Sequence, residues 1–157
     1  MPKISAGIVM FRFQNRAPQV FLVHPGGPFW ANKDLGAWSI PKGLPDQEEN
    51  LLAAAQREFR EETGFTVSGN FLQLTPVKQK SGKVIHAWAV EGDCNPGEVK
   101  SNTFSLEWPP RSGKQQEFPE VDRAAWFDIK EARERIIPGQ LGLLEELQQI
   151  LHKKKTI

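Results

Sequence analysis

The amino-acid sequence predicts an α+β fold that forms one domain over residues 1–157. At 157 residues the chain is long enough to bury one sizeable core. Strand-like runs and runs with helical periodicity are interspersed along it, without the regular repeat of a parallel βαβ protein. No apolar run approaches the roughly 20 residues of a membrane-spanning helix, so we expect no membrane partner.

Six runs rich in β-branched and aromatic residues are predicted strands. In chain order they are residues 5–13, 19–25, 38–41, 71–79, 83–92 and 123–127. The QNRAP segment joins the first two as a hairpin, and Pro41 ends the third. Along the fifth strand Val84, His86, Trp88 and Val90 alternate onto one face.

Three segments have the periodicity of amphipathic helices. They are residues 51–63, residues 129–137 and a C-terminal segment that contains Leu143, Leu144, Leu147, Ile150 and Leu151. Gly64 stands where a left-handed C-terminal cap belongs. Asp128 and Glu131 have the spacing of a capping box, and Pro138 separates the last two helices.

Two long segments carry no regular pattern. Residues 25–37 form a loop punctuated by glycine and proline that carries Trp30. Residues 92–119 are rich in proline, glycine and serine, and their length predicts a functional loop or an insertion.

Composition excludes a bulk electrostatic role. Lysine plus arginine number 20 against 19 acids, so overall charge attracts neither nucleic acid nor an anionic membrane. The lone Cys94 excludes an intramolecular disulfide and indicates a reducing compartment. The N-terminal segment lacks the pattern of a signal peptide. We therefore expect a soluble cytoplasmic protein without a DNA-binding domain; the sequence does not indicate its oligomeric state.

Residues 57–64, REFREETG, crowd three carboxylates onto one predicted helix. Glu58, Glu61 and Glu62 fall within an arc of roughly 100°, although each like-charge pair costs about 0.2–0.5 kcal/mol. The arc borders the apolar stripe of the helix. Oxygen ligands at that position suit Mg²⁺. The alternative at this point is an ordinary charged helix whose carboxylates are solvated.

The segment around these carboxylates matches a longer signature. Residues 43–65, GLPDQEENLLAAAQREFREETGF, fit G-x5-E-x7-R-E-U-x-E-E-x-G-U at every fixed position, where U is a bulky apolar residue. The segment thereby resembles the signature of the Nudix hydrolases. The order of strands and helices is also similar to that family's α/β/α sandwich, in which a mixed sheet lies between helices.

The resemblance implies a chemistry and a set of residues. Family members hydrolyse a pyrophosphate bond in a nucleoside diphosphate linked to another moiety X, with Mg²⁺ and sometimes Mn²⁺ as the metal. The implied metal ligands are the side chains of Glu58, Glu61 and Glu62 and the carbonyl oxygen of Gly43. Arg57 would orient a glutamate through a salt bridge, and Glu49 would support the junction of loop and helix. The implied catalytic residues are Arg57, Glu58 and Glu61.

The general base in such enzymes is either a glutamate of the signature helix or a carboxylate outside it. Glu117 and Glu120 precede the last predicted strand, and Glu120 resembles a catalytic-loop glutamate of the dinucleoside polyphosphate branch. An ordinary loop acid is the alternative. Lys42 precedes the ligand glycine and could place a positive charge on a phosphate, or its stem could only cover apolar surface.

The substrate class rests on weaker signals. The LGAWSIPKG segment resembles diadenosine polyphosphate hydrolases, which place a base-stacking tyrosine after the signature. This chain has no tyrosine. His86 stands at roughly that place, and Trp30 on the preceding loop offers a second ring, with stacking worth about 1–3 kcal/mol. Trp88 is the residue most easily explained as core.

Cations on the long loop leave two interpretations open. Arg111 and Lys114 could hold the distal phosphates of a polyphosphate, or they are solvated loop charges. A nucleotide substrate, most plausibly a (di)nucleoside polyphosphate, is predicted. Nucleotide sugars and oxidised nucleotides are alternatives. Diphosphoinositol polyphosphates and RNA 5′ ends are less favoured, because binding them requires a strongly basic groove. A non-catalytic sensor would be expected to lose glutamates of the signature.

Overall fold

A mixed β-sheet lies between helices in the computed structural model, which describes residues 3–155. The strands are β1 (Ile4–Gln14), β2 (Ala17–Pro25), β3 (Lys42–Gly43), β4 (Leu72–Gln73), β5 (Val77–Lys78), β6 (Val84–Glu91), β7 (Thr103–Glu107), β8 (Gln115–Pro119) and β9 (Val121–Asp128). The helices are α1 (Leu51–Thr63), α2 (Ile129–Arg135) and α3 (Leu141–Lys155). This arrangement confirms the predicted α+β sandwich.

The main sheet is built around β1. Its strand order is β4-β6-β1-β2-β9, with β3 paired to β1 and β5 paired to β6. The pairing of β1 with β6 is parallel, and the other pairings are antiparallel. Side chains alternate along each strand, so β1 supplies Ile8 to the core under α1 and Val9 to the core under α3. Each face of the sheet is therefore covered by helix.

The first helix has the predicted bounds, and the first hairpin forms as predicted with longer strands and a shorter turn. Asn15 and Arg16 connect β1 to β2 with φ values of 51° and 68°, and positive φ at both positions is what a two-residue hairpin turn of type I′ requires. The side chain of Asn50 caps α1 by accepting from the N–H groups of Leu52 and Ala53. Gly64 ends the helix with φ 82°.

Two predicted strands differ from the expectation: no regular strand forms over residues 38–41, and the strand over 71–79 is interrupted. Trp38 and Ser39 make only isolated bridges, because the N–H of Ile40 donates to the side chain of Gln140 instead of to a neighbouring strand. Regular pairing begins after Pro41, in β3. The predicted strand over 71–79 is divided into β4 and β5, since the N–H of Thr75 donates to Glu146 and the following proline has none.

The prediction that residues 92–119 are irregular throughout was wrong. Strands β7 and β8 form a separate two-stranded hairpin within this segment, and the rings of Phe104 and Phe118 pack 6.0 Å apart. The hairpin lies against the 25–37 loop, because a Cβ added to Gly27 would stand 2.9 Å from the Phe104 ring. The segment is a structured arm beside that loop.

The third departure concerns α2, which ends at Arg135 rather than residue 137. Asp128 caps it by accepting from the N–H of Glu131 at 2.7 Å. The Glu131 carboxylate pairs with Arg135 at 2.9 Å, so it serves the helix interior rather than the return half of a capping box.

Cys94 is partly buried, and burial raises the pKa of its thiol to about 11. A thiol with so high a pKa is a weak nucleophile at neutral pH. Within residues 3–155 there is no helix that combines the length and the apolar character needed to cross a membrane.

We expect Gly64→Ala to lower the free energy of unfolding more than Gly82→Ala does. Both glycines have positive φ, and a left-handed conformation costs alanine about 1–2 kcal/mol. At Gly82 an added Cβ meets nothing within 4 Å, whereas at Gly64 it stands 3.0 Å from the carbonyl oxygen of Lys100. Urea unfolding of both variants measures the difference, and equal losses would contradict the close approach.

Candidate active site

The guanidinium of Arg57 joins helix α1 to the loop before it. Its Nε and Nη2 donate to the Glu49 carboxylate at 3.0 and 2.9 Å, and Nη2 also donates to the carbonyl oxygen of Leu44 at 3.0 Å. Its Nη1 donates to Glu58 at 2.9 Å and to Glu61 at 3.1 Å. These contacts use the five N–H donors that an arginine side chain carries.

The carboxylate of Glu49 accepts three of the hydrogen bonds in this network. It accepts from Arg57 and also from the backbone N–H of Asp46 at 2.9 Å. The hydrogen bond from Arg57 and the bond from the Asp46 N–H lower the pKa of Glu49 to about 2. The loop is thereby fixed to the helix by a carboxylate that stays ionised at any ordinary pH.

Glu58 lies against the backbone of β3. A Cβ added to Gly43 would stand 2.0 Å from a carboxylate oxygen of Glu58, so only glycine leaves room for that carboxylate. Burial raises the pKa of Glu58, while the hydrogen bond from Arg57 opposes the rise. The negative charges of Glu61 and Glu120 raise it further.

Glu62 is the most deeply placed of the crowded carboxylates. One of its oxygens accepts from the backbone N–H of Lys42 at 3.3 Å. Burial raises the pKa of Glu62 to about 8, and the charges of Glu58 and Glu120 add to this effect. Burial also lowers the pKa of the Lys42 ammonium, with Lys83 adding to the decrease and Glu62 opposing it.

Glu120 precedes β9 and is held by its backbone. Its N–H donates to the carbonyl oxygen of Asn102 at 2.8 Å, and its carbonyl oxygen accepts from Gly26 at 3.0 Å. The N–H of Asn102 in turn donates to the carbonyl oxygen of Glu61 at 2.8 Å. Burial and the Glu61 charge raise the pKa of the Glu120 carboxyl. The end of α1 and Glu120 are therefore tied together through one residue.

An open cleft of about 180 Å³ lies beside these groups. It is lined by Val23, Pro25, Trp30, Ser39, Lys42, Glu62, Glu120, Val121 and Ile137. The ammonium of Lys33 stands 5.1 Å from the centre of the Trp30 ring. Four residues singled out from the sequence thus meet in one cleft: Trp30, Lys42, Glu62 and Glu120.

Other predicted site residues stand apart from that lining. His86 is in register with Ala6, which is in register with Gly43 on the other side, so His86 stands about 10 Å from Gly43. Trp88 is 9% exposed and belongs to the core under α1. Arg111 and Lys114 lie exposed in the connection between β7 and β8.

Several residues that line the cleft could not be recognised from the sequence. Val23, Ser39, Val121 and Ile137 line it with ordinary side chains, which no motif distinguishes. His24 was also overlooked. Although it lies in a glycine-rich segment, HPGG, nothing in the sequence indicated that its ring would be buried beside the cleft.

The donor set fits a hard divalent cation. Four carboxylates lie near one another: Glu58, Glu61, Glu62 and Glu120. Besides burial, the charges of Glu61 and Glu120 raise the pKa of Glu58, those of Glu58 and Glu120 raise the pKa of Glu62, and that of Glu61 raises the pKa of Glu120. Carboxylate oxygens are the ligands that Mg²⁺ prefers. Across residues 3–155 no three side chains are already gathered as ligands; Glu58 and Glu61 accept from Arg57. These residues supply the oxygen ligands that such an ion would need.

Comparison with known proteins gives a consistent result. The model of the NUDIX domain family matches residues 1–147. The mRNA-decapping protein g5R of African swine fever virus (isolate Warthog/Namibia/Wart80/1980) is 31% identical over 103 residues, 61% of this chain and 39% of that protein. The RNA pyrophosphohydrolase of Caulobacter vibrioides is 26% identical over 141 residues, 80% of this chain and 78% of that protein.

A solved structure agrees in fold. The binary complex of a C. elegans Ap4A hydrolase has a TM-score of 0.66 at 20% identity and covers 96% of this chain and 98% of that chain. At this identity the likeness concerns the fold alone. The chain spans about two fifths of the length of the viral decapping proteins that it matches.

We expect Glu49→Gln to remove part of the pH dependence of stability. The pKa of Glu49 is lowered from 4.5 to about 2, so its ionised form stabilises the fold fully above about pH 4.5. That contribution is lost as pH falls through about 2. The difference in unfolding free energy between wild type and variant should therefore shrink as pH falls from 6 toward 3.

The measurement is urea unfolding across that pH range. Glu48→Gln is the matched control, because the five donors of Arg57 all go to other groups. A stability difference for Glu49→Gln that stays constant with pH would contradict the ion pair.

Proposed function

The chain belongs to the NUDIX family, and from that premise we propose that it is a divalent-metal-dependent pyrophosphohydrolase. We propose a (di)nucleoside polyphosphate as its substrate. One observation carries the proposal: the complete signature is folded so that Arg57 orients two carboxylates, while Lys42, Glu62 and Glu120 face one cleft. The lone cysteine is in keeping with a cytoplasmic location.

The metal site that we propose consists of oxygen ligands from α1 and β3. Glu58, Glu61 and Glu62 would hold Mg²⁺, or Mn²⁺ in its place, together with the carbonyl oxygen of Gly43. A divalent ion bound there supplies positive charge against the phosphoryl oxygens of the substrate. Arg57 keeps Glu58 and Glu61 oriented through bonds of 2.9 and 3.1 Å.

Lys42 supplies a positive charge from the protein itself. Its backbone N–H is fixed to Glu62, and its side chain lines the cleft. An ammonium in a partly desolvated cleft interacts with a phosphate more strongly than one in open water. Lys42 would thereby orient the phosphate chain so that the bond to be cleaved faces Glu120.

Glu120 is proposed as the general base. Its carboxylate would accept the proton of the attacking water as the new oxygen–phosphorus bond forms and the bridging oxygen–phosphorus bond breaks. The raised pKa of its carboxyl, caused by burial and by Glu61, makes it a better proton acceptor than an exposed glutamate. Its backbone bonds to Gly26 and Asn102 fix its position.

Aromatic rings support a nucleobase at one end of the cleft. Trp30 lines the cleft, and its ring could stack on a base, a contact worth about 1–3 kcal/mol. Its neighbour Phe29 is 62% exposed and packs edge-on against Trp108, with ring centres 5.5 Å apart. Trp108 begins the connection that carries Arg111 and Lys114.

These features favour a substrate longer than the cleft. We propose that Trp30 receives one base, and that Arg111 and Lys114 hold phosphates beyond it. His86, on the α1 face of the sheet, is proposed as a further contact for the substrate. A dinucleoside polyphosphate has the required bases and phosphate chain.

A second candidate is the 5′ end of an RNA. The observation that favours it is the match to the Caulobacter RNA pyrophosphohydrolase over 80% of this chain and 78% of that protein. The reaction would be the same, and the cations beyond the cleft would then meet the phosphates of the following nucleotides.

We expect hydrolysis of diadenosine tetraphosphate in the presence of Mg²⁺, with a larger kcat/KM than for ATP, a nucleotide sugar or a 5′-triphosphorylated RNA. Chelation of the metal should abolish it. Glu58→Gln and Glu62→Gln should abolish it as well without unfolding the chain, because the first removes one charge from a repelling set and the second substitutes an amide of similar shape for a carboxyl whose pKa is raised to about 8. Chromatography of the products measures all of these outcomes.

Glu145→Gln, an exposed carboxylate on α3, is the control and should retain full activity. A preference for RNA would select the second candidate. Near-normal turnover by Glu58→Gln or Glu62→Gln in saturating Mg²⁺ would show that these carboxylates are structural. Failure of the wild-type protein to hydrolyse any of the substrates would overturn the proposed function.

We also expect Glu120→Gln to lower kcat far more than it raises KM. Proton removal is needed only toward the transition state, and loss of a general base costs on the order of 10²–10⁴-fold. Steady-state kinetics test this, with Glu117→Gln on the exposed strand β8 as the matched control. A loss smaller than about 10-fold would assign the base to the signature helix.

A further inference from the structure

A β-bulge lies at the start of β9, two residues after Glu120. His24 pairs with Arg123 and Pro25 pairs with Val121, so Asp122 is the extra residue on its strand. A bulge redirects the side chains around it and is common beside active sites. Here it leaves Val121 facing the cleft while the carboxylate of Asp122 contacts His24.

The ring of His24 is completely buried and both of its nitrogens are bonded. Nδ1 lies 2.8 Å from Oδ1 of Asp122, and Nε2 lies 2.6 Å from the backbone carbonyl oxygen of Lys33. A carbonyl oxygen can only accept, so Nε2 donates to Lys33, while Nδ1 is paired with the Asp122 side chain, which is 33% exposed. Both ring nitrogens are therefore held by oxygen partners.

The surrounding charges support this pair. A buried polar ring is stable when its nitrogens are hydrogen-bonded, and Asp122 provides one of the two partners. From β9, Nε of Arg123 lies 4.0 Å from the same Asp122 oxygen. The Trp38 ring packs edge-on against His24 at 5.2 Å, and its Nε1 donates to Asp34 at 2.7 Å.

The two bonds of His24 reach both sides of the cleft. Lys33 belongs to the loop that carries Trp30, and its N–H donates to the carbonyl oxygen of Trp30 at 3.0 Å. Asp122 belongs to the strand that Glu120 precedes. His24 itself lies behind the cleft, because its neighbours Val23 and Pro25 line the front and side chains alternate along a strand.

We propose that His24 is a positioning residue that holds Trp30 and Glu120 in place from behind the cleft. It acts through Lys33 on the aromatic side and through Asp122 on the carboxylate side. This proposal rests on the proposed function, because Trp30 is taken to bind the substrate and Glu120 to accept the proton. His24 touches neither the substrate nor the reacting atoms.

Two substitutions separate the two bonds. In His24→Asn the side-chain amide can replace Nδ1 as a donor to Asp122 but does not reach Lys33. In His24→Gln the amide can replace Nε2 as a donor to Lys33 but loses Asp122. We expect His24→Asn to raise KM for diadenosine tetraphosphate about 10-fold with little change in kcat. We expect His24→Gln to lower kcat about 10-fold with little change in KM.

Asp122 offers a conservative rescue. Asp122→Asn retains an oxygen that accepts from Nδ1 and should keep kcat within about threefold of wild type. Asp122→Ala loses that acceptor and should resemble His24→Gln. Ile85→Val is the control for a general loss of stability, since it removes one methyl group from the core under α3 and should alter neither kcat nor KM.

Amide hydrogen exchange tests the same proposal without a measurement of activity. His24→Asn should increase exchange about 10-fold at Lys33 and Ala37, whose N–H groups are bonded within the loop. His24→Gln should do so at Glu120, whose N–H donates to Asn102. If wild type hydrolysed none of the substrates, the proposed function would fail while this comparison still tests the role of His24.

Equal effects of the two His24 variants on both segments would overturn the proposal, since a merely structural residue loosens everything around it. An absence of effect on either segment would overturn it equally. Parallel losses of kcat in both variants, in proportion to their loss of stability, would assign His24 to the core alone.

Discussion

The bonding of Arg57 is the constraint on which the rest of the site depends. Its five N–H donors are divided between the loop before α1, through Glu49 and Leu44, and the helix itself, through Glu58 and Glu61. The same guanidinium therefore fixes the loop and compensates the repulsion among the carboxylates. A helix with three crowded glutamates is tolerated because a cation is built into the same turn of the chain.

The sheet then decides which way these carboxylates face. Strand β3 is held to β1 opposite Ala6 and Gly7, and Gly43 leaves no space between its own backbone and Glu58. Any side chain at that position would displace the carboxylate from the sheet. Packing of α1 against β1 and β3, rather than the helix alone, therefore sets the direction of these carboxylates, and it places Glu62 in the lining of the cleft.

Local features of the fold could be predicted from the sequence, and features made by distant contacts could not. The bounds of α1 follow from Asn50 and Gly64, which act within one turn of the chain. The break between β4 and β5 depends on a bond from Thr75 to Glu146, 71 residues away. The pairing of Phe104 with Phe118 was hidden in a segment whose proline, glycine and serine content indicated a loop.

The candidate site likewise combines local features that could be predicted from the sequence with distant contacts that could not. Arg57 and the carboxylates of α1 belong to one contiguous motif, so they could be assigned to one site from the sequence. The walls of the cleft come from separate parts of the chain, and the bond between His24 and Asp122 spans 98 residues. Glu58 and Glu61, proposed as metal ligands, are thus held by local bonds from Arg57, whereas Glu120 and the groups proposed to select the substrate are held by bonds between distant parts of the chain. The loop with Trp30 and the β7–β8 hairpin can therefore differ in sequence between proteins without disturbing Arg57. This explains how one signature can occur in proteins whose names refer to different substrates.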